Sequence, residues 1–261
     1  MTLLSIVVPC YNEAATIDGS LDALDALRER LAPAIAVEVV AVDDGSRDGT
    51  ADRIEARGRH AGYVRLVRHE VNAGKGTAIR TARDHVRGDI VVIQDADLEY
   101  DPQDIPALIA PILSGVADAV LGSRFRGAGA HRVLYFWHRV GNGLLTLLSN
   151  MLTDLNVTDM ETGYKAFRGD AFRLMHLTTS RFGIEPEMIA RLSQMGARVY
   201  EVPISYHGRT YAEGKKITWR DGAAAIVHMF SAHVTARRQP RLPVRARVTP
   251  IVNRLPVSLA G

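Results

Sequence analysis

A chain of 261 residues with 47% hydrophobic and 23% charged residues can bury a full core, which excludes a disordered or low-complexity polypeptide. The formal charge of +3 is local: Arg237, Arg238, Arg241, Arg245, Arg247 and Arg254 lie in a final stretch without an acid, and setting those six aside leaves −3. The basic character therefore belongs to the tail, which argues against a broad nucleic-acid-binding face and for a local anionic partner.

Leu3 to Pro9 is an apolar, β-rich run that reads as a strand, so no signal peptide is expected ahead of it. The lone cysteine, Cys10, excludes an internal disulfide and fits a reducing compartment, hence a cytoplasmic location. Ile17, Leu21, Leu24, Leu27 and Leu31 recur at helical spacing and predict a helix that stops near Pro33. A second strand, Val37 to Val42, ends in Asp43-Asp44-Gly45-Ser46, and Thr50 is placed to cap the helix that follows. Val64 to Val67 is a third strand, followed by a glycine-containing loop, 69–77, and a helix to about His85. The fourth run, Ile90 to Ile93, stops at three carboxylates, Asp95, Asp97 and Glu99. Alternating strands and helices predict a parallel sheet whose strand ends share one rim, where ligands bind. Three hard oxygen donors there suit Mg²⁺ or Mn²⁺ holding a diphosphate; the plain alternative is that Asp97 or Asp101 caps the next helix. Neither G-x-G-x-x-G nor a P-loop is present, which argues against a dehydrogenase or a P-loop ATPase.

Beyond Pro102 the pattern loosens. Asp118 to Leu121 reads as a strand ending at Gly122-Ser123-Arg124-Phe125, and Val133 to about Leu152 as a long helix with Leu134, Trp137, Gly141, Leu144, Leu145 and Leu148 on one face. The segment 159–168 is too dense in charged and aromatic residues for a mere connection. A helix led by Glu185-Pro186-Glu187 follows, then a last strand, Val199 to Tyr206, which Pro203 assigns to an edge or bend. His207 to Ile217 is glycine-containing and cationic and is expected to be a mobile loop. Ala223 to Val234 is too short to span a bilayer, and the proline-rich stretch from about Ala236 is not expected to fold alone.

Taken together and in order, VVPCYNE, VDDGS, NAGKGTA, QDADLEYDP, GSRF, TGYKAFR and RTYAEGKK resemble the inverting family 2 glycosyltransferases, most of all the dolichyl- and polyprenyl-phosphate sugar synthases of the dolichyl-phosphate mannose synthase type. The resemblance covers roughly Leu3 to Asp221. It implies a GT-A fold, a single nucleotide-diphospho-sugar transferase domain over residues 1–221 with a mostly parallel central sheet, followed by an amphipathic helix at 222–235 and a basic Pro/Arg-rich tail at 236–261. It also implies metal-dependent transfer of a sugar, with inversion, from a UDP- or GDP-sugar to a polyprenyl phosphate.

Carried over by position, the resemblance implies that Pro9, Tyr11 and Glu13 surround base and ribose, with Asp43 on the base or ribose, where a carboxylate can accept from a diol. Asp44 falls beside them, with a turn or helix cap as the alternative for Asp44 and Ser46. Gly74, Lys75 and Ala96 complete the donor side. Asp95, Asp97 and Glu99 match the metal motif, Glu99 standing where close relatives often carry glutamine. Arg124 and Arg139 match two arginines that hold the acceptor phosphate by bidentate contacts; Arg139 is equally read as a solvated helix residue, with Arg126 and Arg132 as neighbours of the same type. Arg209 and Lys215 match cations that close over the donor diphosphate and act with Asp97 in catalysis. An ionised phosphate attacks without a general base. A hydroxyl acceptor, the alternative, needs one, and Asp159 and Glu161 are the candidates. The 222–235 helix and the arginine tail are expected to rest on an anionic membrane surface, to dock on a membrane partner, or to remain solvated.

Overall fold

The computed structural model describes residues 1–126, 133, 135–181, 183–208 and 239–243. The first half alternates as the apolar runs require: β1 (Thr2–Cys10), α1 (Ile17–Leu31), β2 (Ile35–Asp43), α2 (Thr50–Ala61), β3 (Val64–Arg68), α3 (Lys75–Arg83) and β4 (Ile90–Ile93). The second half adds α4 (Ile105–Leu113), β5 (Ala119–Ser123), α5 (Phe136–Thr153), β6 (Lys165–Arg168), α6 (Gly169–Leu174), α7 (Ile184–Gln194) and β7 (Val199–Pro203). The strands form one seven-stranded sheet in the order β3-β2-β1-β4-β6-β5-β7. Only β6 runs antiparallel to its neighbours, and β7 lies at the edge, where Pro203 costs no interior hydrogen bond.

Strand alternation sends side chains to two cores. Leu4, Ile6 and Val8 of β1 join the α1 leucines and Leu108 on one face, whereas Val7, Val91 and Ile93 meet Ile79, Phe167, Met188 and Leu192 on the other. Because both faces are covered, β4 is fully buried along its length. Its carboxyl end therefore emerges from a rigid wall.

Three expectations change. The residue preceding α2 is Gly49 in a left-handed conformation, so Thr50 does not cap the helix; Asp48 accepts both the Thr50 backbone N–H and its hydroxyl, at 3.1 and 2.6 Å. The 159–168 segment contains β6, inserted between β4 and β5. And α5 does not turn the anticipated apolar face inward: Leu145 and Leu148 pack on Leu121, Val157, Met160 and Ile189, but Trp137 and Leu144 are exposed, and the most buried positions are Asn142, Thr146, Ser149 and Thr153. Leu134 lies outside the described residues, as do Arg209, Lys215, the 222–235 stretch and, apart from 239–243, the tail.

Candidate active site

Six parallel strands deliver their carboxyl ends to one rim, and β6 begins there, so the loops after β1, β2, β3, β4, β5 and β7 and the loop before β6 gather over one surface. In the turn after β4, Leu98 takes a left-handed φ of 61° without being glycine, and Asp97 Oδ1 accepts the Glu99 N–H at 3.2 Å. A β-substituted residue held there costs of order 1–3 kcal/mol, which the surrounding structure must offset.

The three carboxylates of this turn do not close on a single point. Among the described residues no three His, Cys, Asp or Glu groups are placed to hold a metal together. Asp95 is turned to Lys75 Nζ, 2.8 Å from Oδ1 and 3.0 Å from Oδ2, and Glu99 accepts the Tyr206 hydroxyl at 2.9 Å. The expected three-residue metal set is thus spread apart, with Asp95 and Glu99 turned to side chains of other elements. A divalent cation still fits this loop. Mg²⁺ is commonly held by one or two carboxylates with diphosphate oxygens and water completing the shell, so Asp97 with one neighbour suffices.

Lys75 also reaches Glu185 Oε1 at 3.1 Å, and Glu185 accepts from the fully buried Lys165 at 2.5 Å. Burial would drive the Lys75 ammonium toward neutrality, but Asp95 and Glu185 outweigh it and hold the pKa above the ordinary lysine range. Burial likewise opposes ionisation of Glu185, and the two lysines keep it a carboxylate. The chain Asp95–Lys75–Glu185–Lys165 ties β4, α3, α7 and β6 together under the rim. Glu185 and Lys165 were not anticipated as site residues. Glu185 stands in the first turn of a helix, where an acid needs no further explanation, and Lys165 sits in a strand that the local pattern did not mark.

At the end of β1, Tyr11 is exposed, and Pro9 and Glu13 are half-buried. Asp43 is fully buried, yet only one carboxylate oxygen has a hydrogen bond, from the Ser46 N–H at 3.1 Å; the other has none among the described residues. Its neighbours Ser46 and Arg68 border a cavity of about 240 Å³. Asp44 is committed elsewhere: its oxygens accept the backbone N–H groups of Ala73 and Gly74 at 3.0 and 2.7 Å, and His69 Nδ1 lies 2.7 Å away. It thereby fixes the loop entering α3. Gly74 has φ +95°, and a Cβ there would fall 2.4 Å from the Ser180 carbonyl oxygen, so protein packing by itself requires glycine. Ala96 is buried behind the turn.

On the other side of Asp95, Arg124 forms a forked pair with Asp159, Nε to Oδ2 at 2.7 Å and Nη2 to Oδ1 at 2.8 Å, while its backbone N–H reaches Oδ2 at 3.1 Å. Burial alone would raise the Asp159 carboxyl, and the Arg124 charge more than compensates, keeping it below the ordinary range. Both oxygens of this carboxylate are engaged by Arg124. Glu161 differs. Burial, with Glu185 adding to it, pushes its carboxyl up to about 7 against the opposing pull of Lys165 and Arg124, and Oε1 has no hydrogen-bond partner among the described residues. Arg139 places its guanidinium over the Phe125 ring at 3.6 Å, and Arg124 lies over the same ring at 5.6 Å. The two arginines expected to share a ligand are therefore neighbours.

The model for glycosyl transferase family 2 matches residues 5–174, well over half of the sequence. The chain belongs to glycosyl transferase family 2. Among curated family members, glycosyltransferase AglJ of Haloferax volcanii is 31% identical over 229 residues, 86% of this chain and 70% of that protein. An undecaprenyl-phosphate mannosyltransferase of Micrococcus luteus is 31% identical over 219 residues, covering 80% and 85%. The chain spans only 38% and 55% of two further H. volcanii relatives, AglD and the hexosyltransferase Agl6. Among solved structures, glucosyl-3-phosphoglycerate synthase of Mycobacterium tuberculosis superposes with a TM-score of 0.68 at 22% identity, over 98% of this chain and 93% of that one. Its complex with Mn²⁺ and UDP-glucose superposes with a TM-score of 0.67, also at 22% identity, over 89% and 79%. The fold is accordingly that of the GT-A enzymes: one family 2 domain around a mostly parallel sheet.

Proposed function

We infer that this family 2 domain transfers a sugar, with inversion, from a UDP- or GDP-sugar to the phosphate of a polyprenyl phosphate, with a divalent cation bound at the turn after β4. The observation that carries this reading is the placement of Arg124 and Arg139 over one aromatic ring beside the carboxylate rim, two guanidiniums suited to the oxygens of a phosphate monoester. The M. luteus and Trichomonas vaginalis relatives, named for undecaprenyl phosphate and dolichyl phosphate, support the same acceptor class.

In this reading Asp43 accepts from the nucleoside with its second oxygen, Pro9, Tyr11 and Glu13 flank it, and Asp44 and Gly74 shape the loop on which it lies. Lys75 holds Asp95 in place. Asp97 holds the cation with Asp95 or Glu99; when bound, the ion supplies positive charge to the departing nucleoside diphosphate. Arg209 and Lys215 add to that charge. Arg124, fixed in plane by Asp159, and Arg139 orient the acceptor oxygen, which is already ionised near neutral pH and transfers no proton.

A second reading is favoured by Glu161 alone. A buried carboxyl titrating near neutrality suits proton abstraction from a hydroxyl acceptor. The two readings separate in one assay: purified protein, Mg²⁺ or Mn²⁺, a panel of UDP- and GDP-sugars and a polyprenyl phosphate, with sugar followed into the organic phase. Transfer from one donor, reduced about a hundredfold or more by Asp97→Ala and by Arg124→Ala, is the expected result. Donor hydrolysis with no lipid product overturns the lipid acceptor.

A further inference from the structure

β7 ends at Pro203, but the backbone that follows is fixed step by step onto the turn after β4. The Ile204 N–H donates to the Ser123 carbonyl at 3.3 Å and the Ser205 N–H to Asp104 Oδ2 at 2.6 Å. Tyr206 then pairs antiparallel with Tyr100 in an isolated bridge, and the His207 N–H donates to the Glu99 carbonyl at 2.8 Å. This path places the half-buried Tyr206 side chain between the two halves of the site. Its hydroxyl donates to Glu99 Oε2 at 2.9 Å, on the turn after β4, and its ring lies under the Arg124 guanidinium at 5.1 Å. The ring is itself confined. Its centroid is 5.3 Å from that of Tyr100, and a Cβ on Gly208 would fall 2.6 Å from Tyr206 Cε1, so the ring rests on the Gly208 backbone.

The bond to Tyr206 aims Glu99 Oε2 at β7's extension, away from a point shared with Asp95 and Asp97. The Glu99 backbone is held separately, its N–H by Asp97 Oδ1 and its carbonyl by the His207 N–H, so its side chain can change partners while the turn keeps its shape. We propose that Tyr206 is a positioning residue for both substrates. Its hydroxyl holds Glu99 off the cation position until an ion draws the carboxylate away, and its ring supports Arg124, already forked onto Asp159, for the acceptor phosphate. This rests on the cation and acceptor roles proposed above for the turn and for Arg124. The two contributions separate chemically, because phenylalanine keeps the ring without the hydroxyl and leucine keeps neither.

The test uses the full chain and titrates Mn²⁺, followed by electron paramagnetic resonance, with whichever of UDP and GDP the wild type binds. Tyr206→Phe is expected to tighten Mn²⁺ about tenfold, because Glu99 no longer gives up a hydrogen bond to reach the ion. On a Glu99→Ala background the same substitution is expected to change Mn²⁺ affinity by less than about twofold. The KM for a short, water-soluble prenyl phosphate should stay within about twofold of wild type in Tyr206→Phe and rise roughly five- to tenfold in Tyr206→Leu. Gly208→Ala, which displaces the ring and leaves Tyr206 in place, should reproduce that rise with an unchanged thermal midpoint. Unchanged or weaker Mn²⁺ binding in Tyr206→Phe, or equal tightening without Glu99, overturns the hold on Glu99. An unchanged KM in Tyr206→Leu overturns the support of Arg124. If Tyr206→Phe tightens Mn²⁺ but no prenyl phosphate is turned over by any of the proteins, the hold on Glu99 stands and the acceptor assignment falls. If wild type binds neither nucleotide with Mn²⁺, the cation reading and this proposal fall together.

Discussion

Asp159 and Glu161 are two residues apart, carry the same chemistry, and acquire opposite electrostatics from their neighbours. Asp159 faces the fork of Arg124; Glu161 faces burial and Glu185, partly offset by Lys165 and Arg124. A carboxyl shifted from 4.5 to about 7 keeps its proton in the folded chain over a pH range in which the unfolded chain has released it. Stability is therefore highest below about 4.5 with respect to this group, falls as pH rises through that window, and the loss is complete above about 7. Glu161→Gln is expected to be more stable than wild type at pH 8 by roughly 1–3 kcal/mol and nearly equal to it at pH 4, as read by urea unfolding. If the acceptor is a phosphate, the same variant keeps transfer within about tenfold; loss of several orders of magnitude would return the hydroxyl reading with Glu161 as base. The sequence named both acids as candidates but could not separate them. Which one meets Arg124 depends on how the loop before β6 lands on β5, a contact between residues far apart in the chain.

At the scale of elements, β4 and β6 bring Asp95 and Gly163 so close that a Cβ on Gly163 would lie 2.4 Å from Asp95 Oδ2 and 3.3 Å from Lys75 Nζ. Gly163→Ala must push the carboxylate off its lysine or move the loop. The expected result is a loss of about tenfold or more in affinity for UDP or GDP with Mn²⁺, measured by calorimetry, together with roughly 1–3 kcal/mol of stability from overpacking. An unchanged nucleotide affinity would remove Asp95 from the donor side. This closeness arises from antiparallel pairing of β4 with β6, which nothing local in the sequence announces. By contrast, the strand bounds of Ile90–Ile93 are legible to the residue, because a short apolar run ended by acids leaves a buried strand little freedom. The α5 helix shows the limit of periodicity: apolar residues on several sides fix that it is a helix, not which side is inward, and here hydrogen bonds from Asn142 and Thr146 decide. Glu185 and Lys165 were missed for a related reason. A buried ion pair contradicts the rule that charges stay outside, and only its partners explain it.

For the molecule as a whole, composition separates a near-neutral body from an arginine-rich tail, yet Gln239 and Leu242 of that tail are part of the body's packing. Gln239 accepts the His176 N–H at 3.0 Å, the Leu242 N–H donates to the Met195 carbonyl at 3.1 Å, and the Leu242 side chain, 9% exposed, enters the cluster that includes Met175, Leu192 and Met195. The contact is apolar and backbone-mediated, so charge is not what holds it. Leu242→Ala is expected to cost about 1–3 kcal/mol, toward the lower end of buried leucine truncations because the site lies at the surface of the core. Raising the salt from 0.1 to about 1 M shortens the Debye length from about 10 to about 3 Å and should leave that difference unchanged. If docking were instead driven by the neighbouring arginines, the wild-type advantage would shrink with salt, and Arg241→Gln would reproduce the Leu242→Ala loss. Urea unfolding of the three proteins at both ionic strengths separates the two accounts, with a difference that persists in high salt assigning the anchor to Leu242.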